Sequence, residues 1–200
     1  MKYIKIASVL AIISLICAVI LAGFNLLTKD KIEQNEKDKK NDTIQAIYSE
    51  YDSKNSTIQN KKDLKQYNSY SSVVDERIIA CDASGKVLGY LYTVSGSNSY
   101  GEISLMVALT DVGGVVSVEQ VEFLKNTESF ASTVDSWLKN NFVSKGTEVH
   151  EGGFVSKSGS GTVKTYEELA GVDTSCGATY GAKTCMELIE AACKLEKEVA

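Results

Sequence analysis

The residues best suited to chemistry lie in one octapeptide, Asp173-Thr174-Ser175-Cys176-Gly177-Ala178-Thr179-Tyr180, which leads into an apolar helical pattern running from Lys183 towards Glu198. Gly177 and Ala178 carry almost no side chain, so a bulky group can come close to the backbone. A helix starting here would offer unpaired N–H donors and the positive end of its dipole. Together these features suit a phosphate group beside the Thr179 hydroxyl. Thr179 would serve equally well as an ordinary helix cap, because threonine is a preferred capping residue. A threonine hydroxyl is a weak nucleophile that needs an activating base or metal. The sequence supplies no carboxylate–histidine cluster for that purpose, so no catalytic residue is assigned. The single histidine, His150, lies in a polar stretch between Glu148 and Glu151 and reads as a solvated surface residue.

The octapeptide resembles the flavinylation motif Asp-x-x-Ser-Gly-Ala-Thr of FMN-binding domains in RnfG- and NqrC-type subunits, membrane-anchored flavoproteins of ion-translocating respiratory complexes. Asp173, Gly177, Ala178 and Thr179 match it, and Cys176 stands where the family usually carries serine. A second block is similar to the family run Gly-Tyr…Gly-Tyr-Gly-Gly-x-Ile-x-Leu-Met-Val. It comprises Gly89-Tyr90, Thr93-Val94-Ser95-Gly96 and then Tyr100-Gly101-Glu102-Ile103-Ser104-Leu105-Met106-Val107. A third family element, Glu-Thr-Pro-Gly-Leu-Gly, is replaced by Lys125-Asn126-Thr127-Glu128-Ser129-Phe130-Ala131.

The resemblance implies FMN joined through its phosphate to the Thr179 hydroxyl, with Asp173, Cys176, Gly177, Ala178, Tyr100, Gly101 and Glu102 around the cofactor. It implies an ApbE-type flavin transferase as the external catalyst, using FAD and Mg²⁺. It further implies an extracytoplasmic domain and other membrane subunits, in a complex coupling ferredoxin–NAD oxidoreduction to ion movement. Two other readings stay open: a stand-alone flavinylated shuttle to extracellular acceptors, and a membrane-tethered binding module without cofactor.

Composition sets outer bounds. Two hundred residues with 44% hydrophobic content allow one packed domain plus appendages. The balance of 21 basic and 26 acidic residues provides no basic footprint for nucleic acid. Outside the first apolar run the cysteines are Cys81, Cys176, Cys185 and Cys193, with no Cys-x-x-Cys spacing, so zinc or iron–sulfur ligation is not expected. Cys185 and Cys193 would stand about 12 Å apart along one helix axis, too far to bridge. Buried thiols are the expectation.

Several elements must position the motif. Ile6 to Thr28 is an uncharged run able to cross a hydrocarbon core of roughly 30 Å, so residues 1–28 read as a transmembrane anchor. Residues 29–71 read as stalk and linker: a solvated helical stalk from Lys29 to about Tyr51, with a sparse stripe of Ile32, Ile44, Ile47, Tyr48 and Tyr51, then Asp52 to Ser72 as a linker or an irregular lead into the domain. Lysines on both sides of the anchor leave its orientation undecided by charge. Residues 72–200 read as an α+β domain, an antiparallel sheet with packed helices.

Within that domain, strands are expected at Arg77–Cys81, Val87–Ser95, Ile103–Leu109 and Val115–Leu124, the last with a bulge where its apolar phase slips between Val118 and Val121. Ser95 to Ser99 reads as a turn. Phe130, Val134, Trp137 and Leu138 recur at helical spacing, which predicts an amphipathic helix over 129–142. Gly146 to Gly161 suits a strand pair or loop, and Thr165 to Gly171 a brief helical turn. Cys185, Leu188, Ile189, Ala192 and Leu195 form the buried stripe of the last helix.

Overall fold

The computed structural model describes residues 2–67, 73–113, 115–142, 147–150, 153–156, 163–165 and 178–199. It divides into two compact units, Met1–Asp42 and Thr43–Ala200.

The first unit is helical. Helix α1, Lys2–Ile47, carries a segment with mean hydropathy 2.8, long and apolar enough to cross a membrane. Its large side chains from Ile6 to Leu27 are exposed, an arrangement unfavourable in water and natural in lipid.

Among the described residues, the second unit is built on one antiparallel sheet whose eight strands are neighbours in the order of the chain. They are β1 Thr57–Asn60, β2 Val74–Cys81, β3 Val87–Asn98, β4 Gly101–Val112, β5 Val115–Asn126, β6 Thr147–His150, β7 Gly153–Ser156 and β8 Val163–Thr165. Helix α2, Ala131–Phe142, packs on β5; helix α3, Thr179–Val199, packs across β2 to β5 and against α2. The expected α+β arrangement is therefore present.

Alternation in β4 produces the main core. Ile103, Leu105, Val107 and Leu109 face the stripe of α3, where Cys185, Leu188, Ile189, Ala192 and Leu195 are all buried, and Val134, Trp137 and Leu138 of α2 join them. The phase slip in β5 is a bulge. Ala108 pairs with Gln120 and Leu109 with Val118, leaving Glu119 as the extra residue, and a second irregularity follows between Ser104 and Leu105.

Several expectations are corrected. Met106 and Ala108, the alternate positions of β4, are also buried, because they line a second sheet face with Ile78 and Leu91 that Ile44, Ile47, Tyr48 and Tyr51 cover. The supposed solvated stripe thus forms a second core, and its 3.6-residue spacing is that of a helix end docked on a sheet. The supposed linker supplies β1, which pairs with β2 from Thr57↔Ile79 to Asn60↔Glu76, and a 3₁₀ turn at Asp63–Gln66 that buries Leu64.

Strand β3 continues through the supposed Ser95–Ser99 turn as far as Asn98, which pairs with Gly101, so the turn narrows to Ser99-Tyr100. Phe130 does not join the buried stripe of α2. Its carbonyl accepts from the N–H groups of Thr133 and Val134, placing it at the helix cap, half-exposed. His150 ends β6, paired with Gly153, rather than lying in a loop. Thr165 ends β8, and the helical turn expected to follow it lies outside the described residues.

Candidate functional site

Helix α3 begins beside the β3–β4 turn. The Ala178 carbonyl accepts the N–H of Ala182 at 3.0 Å, the first hydrogen bond of the helix. Ala178 therefore occupies the capping position and Thr179 the first helical one. This weighs against Thr179 as a simple cap, whose hydroxyl would have to stand one residue earlier. By position, the N–H groups of Thr179, Tyr180 and Gly181 have no intrahelical acceptor and contribute to the positive helix end. Thr179 is half-buried and Ala178 fully buried.

A concave pocket of about 160 Å³ opens at this turn, lined by Ala178 to Gly181 on one side and by Tyr100, Glu128 and Phe130 on the other. Its volume is below the roughly 300–1,000 Å³ of pockets that enclose a drug-sized ligand. Among the described residues it has room for only part of such a ligand.

A partly buried polar chain fixes the pocket wall. The Asn98 side-chain amide donates to the Glu128 carboxylate and, at 3.1 Å, to the Thr184 hydroxyl; that hydroxyl donates to the Tyr180 carbonyl at 2.9 Å. Glu128 is only 7% exposed, and its approach depends on Gly181. A Cβ at Gly181 would lie 2.2 Å from Glu128 Oε2 and 2.5 Å from Val134 Cγ2. The carboxylate thereby stands against the first turn of α3 and takes up part of that turn's positive potential.

Gly101 serves a second close approach. A Cβ there would lie 2.7 Å from the backbone of Thr127, so its absence lets β4 start against the loop that carries Glu128. Two hydrogen bonds hold this contact: the Glu102 N–H donates to Thr127 Oγ1 at 2.9 Å, and the Thr127 N–H to the Glu102 carbonyl at 3.0 Å. The Glu102 side chain points elsewhere, pairing with Lys125 at 2.6 Å, and that lysine's hydrogen bond and charge hold its carboxyl below the usual range.

Of the residues singled out by the sequence, Thr179, Ala178 and Tyr100 meet at the pocket, while Gly101 and Glu102 act through backbone. Asp173, Cys176 and Gly177 lie outside the described residues. Sequence reasoning missed Glu128, Phe130, Tyr180 and Gly181 as pocket residues. For Tyr180 and Gly181 the signal was available, since both follow Thr179 directly.

An amino-terminal helix of membrane-crossing length, followed in the chain by an antiparallel α+β unit, defines a membrane-anchored class of protein. Residues 2–47 match the family described as RnfG N-terminal region, so over that segment the chain is similar to RnfG-type proteins. The match covers α1 and stops before the first strand. No curated protein matches the chain.

Proposed function

We propose that this chain is a membrane-anchored electron-transfer flavoprotein that carries FMN on Thr179 through a phosphoester, as a subunit of an Rnf-like ion-translocating ferredoxin:NAD oxidoreductase complex. The observation that carries the reading is the position of Thr179. It lies in the first turn of α3, one residue beyond the cap, on the wall of a pocket lined by aromatic side chains. Its sequence context supports the same reading, since Asp173, Cys176, Gly177 and Ala178 precede it in a motif similar to that of flavinylated RnfG-type domains.

The residues fit the group. Helix-start N–H donors at Thr179, Tyr180 and Gly181 suit a phosphate, and the aromatic side suits a flavin ring. Bound flavin would supply one- and two-electron transfer. The chain's own residues anchor it, shape its surroundings and set its exposure. Attachment is left to an ApbE-type flavin transferase, for which the half-buried Thr179 is the substrate. A covalent link removes the loss by dilution that even a noncovalent site of about 1 μM, or about −8 kcal/mol, would suffer outside the cell. The domain is accordingly read as extracytoplasmic, with α1 lying among other membrane subunits.

The test is co-expression with and without a flavin transferase, followed by flavin fluorescence on a denaturing gel. A fluorescent band is expected only with the transferase and only with Thr179 intact, and it should vanish in Thr179→Ala. A dark wild-type band, beside a second substrate that the same transferase does label, would overturn the assignment.

A further inference from the structure

Three large aromatic side chains stand in the open around Thr179. Tyr100, Phe130 and Tyr180 are 46%, 49% and 60% exposed, although they come from the β3–β4 turn, the cap of α2 and the first turn of α3. Tyr100 stands between the other two. Its ring centre is 5.5 Å from that of Tyr180, with planes at 46°, and 6.4 Å from that of Phe130, with planes at 65°. All three line the pocket that Thr179 lines.

Such a cluster is an unusual thing to leave in water. Exposed apolar groups are ordinarily scattered singly, and a joined patch marks a place where something binds. The pocket beneath is too small to enclose a tricyclic ring, so a ring attached nearby must rest on its rim. The rim is aromatic, and an electron-poor ring system packs favourably on electron-rich phenol and phenyl rings in offset or tilted contact.

We infer that the isoalloxazine ring of a flavin carried on Thr179 packs on the Tyr100–Phe130–Tyr180 surface, which makes Phe130 and Tyr180 cofactor-positioning residues. This inference rests on the FMN reading above. Tyr180 follows the attachment point and lines the same pocket, so its ring stands at the rim beside the tethered group. Phe130 supplies the opposite edge from a loop held to the start of β4 by the hydrogen bonds between Glu102 and Thr127.

The experiment uses the full chain, co-expressed with a flavin transferase and purified in detergent. Loading is read as the fluorescent band on a denaturing gel. Contact is read as emission per bound flavin in the folded protein against the same sample unfolded, because tyrosine packed on a flavin quenches its emission. The folded wild type is expected to emit several-fold less than the unfolded. Tyr180→Leu and Tyr100→Leu should each raise folded emission by roughly twofold or more, Phe130→Leu should shift the emission maximum, and thermal melts should be unchanged because the side chains are exposed.

Normal loading and melting, with emission and maximum unchanged in all three variants, would overturn the inference and leave the FMN reading standing. Absence of the wild-type band would overturn the FMN reading and the inference with it.

Discussion

Arg77 and Glu196 close a buried, two-pronged ion pair between β2 and the last turns of α3. Nη2 donates to Oε1 at 2.8 Å and Nε to Oε2 at 2.9 Å. The Tyr92 hydroxyl also donates to Glu196, and Gln59 Oε1 accepts from Nη1 at 2.9 Å. Burial works against the guanidinium's charge, yet the hydrogen bond to Glu196, together with Tyr92 and the Glu196 charge, outweighs it and holds Arg77 above its ordinary pKa. Removing one partner strands the other. Arg77→Met or Glu196→Leu alone should cost about 3–5 kcal/mol, whereas the double variant should lose distinctly less than the sum. Denaturant melts of the four proteins measure this, and strict additivity would contradict it.

Gly181→Ala separates two opposed effects. Helix propensity alone would make alanine the better residue by about 1 kcal/mol. The new Cβ, however, would fall within 2.5 Å of Val134 Cγ2, a branched side chain in a packed core with little freedom to move. Destabilisation of about 1–3 kcal/mol is therefore expected. A rise in melting temperature would mean that the contact with Glu128 and Val134 yields freely.

Tyr48 presents the converse case. Its hydroxyl is buried with no hydrogen-bond partner among the described residues, and burial, helped by the charge of Glu119, pushes its pKa up to about 12. Tyr48→Phe keeps the ring in the second core and deletes the stranded group. It should stabilise by about 1 kcal/mol, while Tyr48→Ala should cost about 3–5 kcal/mol. A loss on Tyr48→Phe would reveal a partner for the hydroxyl.

Stability should fall on the alkaline side. Burial pushes the Cys185 and Cys193 thiols well above their ordinary 9.0, the Glu128 charge adding to the effect at Cys185. Tyr48 rises from 10.0. In each case the folded form keeps a proton that the unfolded chain releases. The contribution is complete below the unfolded value and is lost as pH rises through the interval up to the folded one. Melting temperature should hold steady from pH 7 to about 8.5 and then decline, as the unfolding free energy falls by as much as about 1.4 kcal/mol per pH unit for each such group. The same thiols should resist alkylation at pH 8 until the protein is unfolded.

What could be read in the sequence was whatever a single element decides alone. The α3 stripe from Cys185 to Leu195, the alternation from Ile103 to Leu109 and the slip around Glu119 are periodic signals, and each became the element it described. Features decided by two distant segments were hidden. Thr57-Ile58-Gln59-Asn60 has no alternation worth the name and is a strand because β2 presents an edge to it. Ile44 and Tyr48 looked solvated because nothing nearby in sequence reveals that Ile78, Leu91 and Met106 line a second sheet face. At the candidate site, Thr179 and Tyr100 stood out by motif. Glu128 and Phe130 were hidden, Glu128 in a loop that departs from the family pattern and Phe130 because its spacing pointed to the buried stripe of α2; the close packing at Gly101 and Gly181 and the Glu102–Thr127 hydrogen bonds bring them to the pocket.

The order of the strands has a consequence for biosynthesis. Every strand pairs with its neighbour in the chain, so the sheet can grow by short local closures as it leaves the ribosome or translocon. Its main apolar face cannot close in the same way, because the helix that covers β2 to β5 is made after all of them, with Glu196 reaching back to Arg77. Until α3 is complete, a half-formed domain displays bare core and is at its most prone to aggregation. The turn bearing Thr179 is the leading end of that same helix, so the pocket it lines comes into existence only with the finished fold.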